Sequence, residues 1–201
     1  MVTISFVKYY VTHSEALNKV GLGYAYFSMI GAKRFAEDPS FNRQMYDASL
    51  QLLRQCHDPS TVGRGLTVLI HFAAHLFSPI SGHFEVLEES LELGLVSGDK
   101  HLYLFTVSSI ALCRMYLGFD VNEIETYCSV APEDFNDWEQ DLRGGVSIIA
   151  CRQLSRSLQG KTLNDSPKTV MSDENHNTAE YIRFIRSSMS NPDRYVSHSY
   201  D

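Results

Sequence analysis

The sequence predicts an all-α protein: a TPR-like α-solenoid of antiparallel helical hairpins, ending in a polar linker and a short helix. Three observations predict this. Helix-start signals recur about every 20 residues, and apolar residues recur at helical period between them. No stretch alternates with period two and β-branched enrichment in the way a strand does.

Proline at the first helical position after an Asp or Ser is a strong start signal. Its missing N–H is not needed there, and the preceding side chain accepts a hydrogen bond from another free N–H. Asp38-Pro39, Asp58-Pro59 and Ser78-Pro79 share this form. Gly98-Asp99 continues the series, with Gly98 ending one helix and Asp99 capping the next. Asp120 with Glu123 forms a capping-box pattern, and Pro132 followed by Glu133 and Asp134 places acids at a helix's positive end. The expected starts are therefore near 39, 59, 79, 99, 120 and 132.

The spacing of apolar residues agrees. Phe41, Met45, Leu52 and Cys56 share one face, and Val62, Leu66, Leu69, Ile70, Ala73, Leu76 and Phe77 share the next. Residues 102–117 are apolar nearly all round, as in a helix packed on both sides. A long helix is expected from Pro132 to Leu158, carrying Trp138, Leu142, Val146, Ile149 and Leu154. Its Gly144-Gly145 pair costs about 1 kcal/mol per glycine, which close approach by a neighbouring helix would offset. Two helices make a hairpin of about 40 residues, the period of a tetratricopeptide-type array. The expected organisation is a helical-repeat region over 1–160, a polar linker over 161–173, and a short helix with a frayed tail over 174–201. In that last helix Ile182, Ile185 and Met189 share one side, and Asn191-Pro192 ends it.

A net charge of −7 argues against nucleic acid as a partner and against polybasic attachment to anionic lipid. The most apolar window, "LYLFTVSSIALCRMYLG", contains Arg114 and falls short of the ~20 apolar residues of a membrane span. The opening "MVTISFVKYYVTHSE" lacks the form of a signal peptide. Cys56, Cys113, Cys128 and Cys151 lie far apart without a C-x-x-C, which fits reduced thiols in the cytoplasm.

Candidate chemistry is sparse. "LQGKT" mimics the end of a P-loop, but Ser155 stands where the first glycine belongs and a helix precedes it. "GLGYAYF" has Gly21 and Gly23 but Tyr26 in place of the third dinucleotide-binding glycine. "HFAAH" sets His71 and His75 one helical turn apart, a metal-compatible spacing, with Phe72 where a zinc protease has its glutamate. With Arg64 they form a stripe away from the apolar face, the candidate interaction surface. The acids Glu133, Asp134, Asp137, Glu139 and Asp141 sit where a helix dipole favours them. Asn164-Asp165-Ser166 is a sequon without meaning in a cytoplasmic protein. No catalytic residue, metal or cofactor is expected.

Several ordered segments, "VGLGYAYFSMIGAKRF", "DPSTVGRGLTV", "LEESLELGLVSGDK", "VAPEDFNDWEQDLRGGVSIIACRQLSRSLQGKT" and "VMSDENHNT", resemble a known family. They are similar to the helical region downstream of the P-loop ATPase domain in large fungal hybrid histidine kinases, over roughly residues 14–190. The resemblance implies a non-catalytic scaffold in phosphorelay signal transduction, coupling an ATPase module to sensor and kinase domains. Its implied partners are protein segments or neighbouring domains of a sensor kinase. His176 lacks the context of a phospho-accepting histidine, so no catalytic role carries over. The apolar opening, without a polar solenoid cap, is what a truncated array would have. A free-standing TPR-like adaptor and a small helical metalloenzyme using His71 and His75 are the alternatives.

Overall fold

The computed structural model describes residues 39–190 except 77, 164, 165, 167 and 168. Expectations for Asp38, "GLGYAYF", Phe77, Asn164-Asp165 and Asn191-Pro192, and for the side chains of Phe41 and Met45, lie outside the described residues. All regular elements among the described residues are helical, and none is a strand. The α-helices are α1 (Pro39–Leu53), α2 (Pro59–Phe72), α3 (Phe84–Ser97), α4 (Lys100–Tyr116), α5 (Val121–Val130), α6 (Gly145–Leu158) and α7 (Thr178–Met189). None of them is long and apolar enough to cross a membrane.

The caps explain most boundaries. Asp58 accepts a hydrogen bond from the Thr61 N–H at 2.9 Å, and Pro59 takes the first position of α2. Asp99 accepts from the Leu102 N–H at 3.0 Å, and Asp120 from the Asn122 N–H at 2.8 Å. Gly98 ends α3 with φ +67°, a left-handed conformation that carries no penalty for glycine.

Two expected starts differ. The segment after Pro79 opens as a 3-10 helix, Ile80–His83, and α3 begins only at Phe84. Ser78 makes no cap there, because its hydroxyl meets His83 Nε2 at 3.0 Å. The expected helix Pro132–Leu158 is also broken. Residues 131–144 form turns and a 3-10 helix, Trp138–Gln140, before α6 begins at Gly145. Asp137 adopts φ +56°, and the Asp141 carboxylate takes the N–H groups of Arg143 (2.9 Å) and Gly144 (2.7 Å), ending one run and starting the next. The close approach expected at the glycine pair is present, at the entry to α6. A Cβ at Gly144 would overlap the Leu104 carbonyl of α4 and lie 2.7 Å from the Phe105 nitrogen.

Each helix from α1 to α6 packs on the next, and α2, α4 and α6 also pack on one another in series. α4 is covered on both sides, as its composition predicts, with nine residues between Leu102 and Ala111 buried. Leu53, Val62, Leu66, Val68 and Leu69 form one core cluster between α1 and α2. Tyr103, Leu104, Val107, Ala111, Ile124, Cys128, Ile148 and Cys151 form another among α4, α5 and α6.

Beyond α6 the chain turns back on the body. Asp173 pairs with Arg156 at 2.9 Å, and the Leu163 N–H donates to the Ser172 carbonyl at 2.8 Å. Asn177 caps α7, whose Tyr181 hydroxyl donates to the Glu139 carbonyl at 2.7 Å.

Candidate functional site

The serial packing of α2, α4 and α6 is built around three aspartates, Asp58, Asp99 and Asp141. Each holds the N-terminal end of one helix of the series. The latter two also accept from the residue two positions past the preceding aspartate. Ser60 Oγ donates to Asp99 at 2.5 Å, and His101 Nδ1 meets Asp141 at 2.5 Å. The same offset continues along the helices. Thr67 and Thr106 share a buried hydroxyl–hydroxyl bond at 2.9 Å, and a Cβ at Gly63 would come within 2.6 Å of Leu102 Cδ2. The aspartates thus form a ladder, stepping from one helix start to the next.

Electrostatics favours charged rungs. Burial alone would raise the Asp141 carboxyl, but the His101 hydrogen bond and the Gly144 and Arg143 N–H groups hold it below its ordinary value. Asp99 follows the same pattern: burial opposes the charge, and Ser60, the Leu102 N–H and Arg64 outweigh it.

The three residues expected to line an interaction surface do not form one stripe. Arg64 is committed to Asp99, at 2.6 Å from a terminal nitrogen and 2.7 Å from Nε. His71 turns inward rather than away from the core. Its Nδ1 meets Ser109 Oγ on α4 at 3.0 Å, and its ring lies 5.7 Å from that of Phe105. Desolvation there lowers its pKa, with a smaller contribution from His75. His75 is exposed and lies past the end of α2, in the 3-10 helix Ala74–Leu76. The two histidines therefore lie on different elements, and the His71 Nδ1 is taken by Ser109. Among the described residues no group of three or more His, Cys, Asp or Glu side chains is placed to hold a metal ion.

His101 beside a buried carboxylate has the outline of a base and its orienting partner. Asp141, however, gives one oxygen to His101 and the other to two backbone N–H groups at a helix start, so the pair works as a clamp between α4 and α6. His101 and the second roles of Asp99 and Asp141 were missed in the sequence. A signal is present: Asp58-Pro59-Ser60, Asp99-Lys100-His101 and Asp141-Leu142-Arg143 each read aspartate, any residue, donor.

Among the described residues these elements define an all-helical body whose packing is organised by a repeated polar ladder. No family model, curated protein or solved structure matches the chain.

Proposed function

We propose that the chain is a TPR-like α-solenoid that acts as a non-catalytic scaffold through protein contacts. The observation that carries this reading is the aspartate ladder. Asp58, Asp99 and Asp141 recur at the hairpin period, and each step locks one helix of the series to the next. Stacked hairpins present extended surfaces, and such arrays serve binding more than chemistry. Cys56, Cys113, Cys128 and Cys151 are unbridged, which fits a reducing cytoplasmic setting. The resemblance of the quoted segments supports a place beside the ATPase and sensor modules of a hybrid histidine kinase, where the array would transmit rather than catalyse.

Calorimetric titration of the purified chain with isolated ATPase, GAF and histidine-kinase modules from such a kinase tests this. Saturable binding to one of them, in the micromolar range or tighter, is expected. A folded chain that binds none of them would overturn the scaffold reading for that system.

A further inference from the structure

The chain from Ser172 to Met189 is held on α6 and its entry by a small set of polar and aromatic contacts. Asp173 pairs with Arg156 at 2.9 Å and also accepts a hydrogen bond from the Gln153 side chain. Tyr181 donates its hydroxyl to the Glu139 carbonyl at 2.7 Å, and its ring lies 5.4 Å from that of His176. Apolar packing adds little. α7 packs extensively on no other helix, its one buried residue is Ser188, and Ile182 and Met189 are exposed. The polar footing is also incomplete, because the buried Gln153 Oε1 and Thr162 Oγ1 have no hydrogen-bond partner among the described residues. Buried polar atoms in that state favour opening, since water satisfies them once the cover lifts. An element held this way opens locally at lower cost than the core shared by α4, α5 and α6.

His176 sits among these contacts. Its partly buried ring makes no hydrogen bond among the described residues. It faces Arg152 of α6, Glu139 of the 3-10 helix, Asp173 of its own turn and Tyr181 of α7. Both carboxylates are committed, Glu139 to Arg152 at 3.0 Å and Asp173 to Arg156. The place therefore suits a neutral imidazole beside a guanidinium. We infer that residues 172–189 form a pH-sensitive strap on α6, which loosens when His176 takes up a proton. A second positive charge beside Arg152 drives the imidazole outward, and Tyr181 loses the ring it packs on. Opening uncovers the face of α6 that carries Arg152, Gln153 and Arg156. Burial and then Arg152 hold the imidazole below its ordinary 6.5, outweighing Asp173 and Glu139. The closed strap is thus fully stabilised above pH 6.5, and the stabilisation is lost as pH falls from there toward the lower closed-state value. The device goes beyond the scaffold reading and is independent of what the array binds.

Hydrogen–deuterium exchange of the full chain, read by mass spectrometry on peptides covering α7, tests this. The quantity read is the change in α7 exchange rate between pH 7.5 and pH 5.5 in the parent, divided by the same change in His176→Gln. In that ratio the pH dependence of the exchange chemistry cancels, and so does any loss of ring packing in the variant. It should be at least ~3-fold, with about tenfold as the limit for one histidine a unit below its ordinary value. Peptides from α4 should give a ratio of one. Tyr181→Phe removes the bond to the Glu139 carbonyl and should speed α7 exchange at both pH values. His101→Gln should keep the acid response, since His101 belongs to the clamp between α4 and α6. A ratio of one for α7 would overturn the inference. So would a response lost in His101→Gln, or one shared by α4, which would be global unfolding. Unchanged α7 exchange in Tyr181→Phe would remove the contact that closes the strap, and the inference with it.

Discussion

Asp141 shows how one side chain serves local structure and tertiary packing together. Its carboxylate supplies the acceptors that the first N–H groups near α6 need, and it fixes the first turn of α4 through His101. Replacing it with alanine leaves these groups without their partner. Asp141→Ala should lower unfolding free energy by about 2 kcal/mol at neutral pH, read by urea titration. The sign of the pH dependence follows from the carboxyl's lowered folded value. The stabilisation is fully present above the ordinary 3.8 and is lost as pH falls through the lower folded value. The gap between parent and variant should therefore be constant from pH 7 to 5 and close only in stronger acid. A gap that already closes between pH 7 and 5 would contradict the lowered carboxyl value.

At the scale of the element, the glycines separate two kinds of position. Gly144 lies against the backbone of α4, so an added methyl group has nowhere to go. Gly82, in the 3-10 helix before α3, has open space where a Cβ would stand. Gly144→Ala should cost about 3 kcal/mol through overpacking, and Gly82→Ala should stay within about 0.5 kcal/mol. Thermal melts showing equal costs would contradict the packing of α4 against α6. The starts of α2, α4 and α5 were legible because Asp58, Asp99 and Asp120 act on N–H groups two or three residues away. The start of α3 was not, since Ser78 is drawn to His83 by the path of the whole connection. The break before α6 was also hidden, because apolar spacing across Trp138 and Leu142 continues through a segment that the chain folds as turns. Periodicity records which residues face the interior, and a turn can satisfy the same pattern over a short distance.

For the whole molecule, burial separates the four thiols into two pairs. Cys128 and Cys151 are buried in the cluster shared by α4, α5 and α6, and desolvation pushes them up to about 12 and about 11. Cys56 and Cys113 are partly exposed. At pH 7.5 a maleimide should label the latter pair first, and the buried pair only with global unfolding. Rapid labelling of all four in the native chain would show that the three-helix core is not as described. Mass spectrometry of timed samples separates the cases.

The sequence by itself determined the helical class, the capped starts of α2, α4 and α5, and the two-sided burial of α4, because these follow from side chains acting within a turn or two of their own backbone. Only the tertiary structure decided that Arg64 and His71 are spent on contacts with α4 and its start, and that Asp141 clamps His101. Those outcomes join residues 35 to 40 positions apart, and such pairings depend on which helix faces come to lie against each other. Local propensity is blind to that choice. Packing makes it.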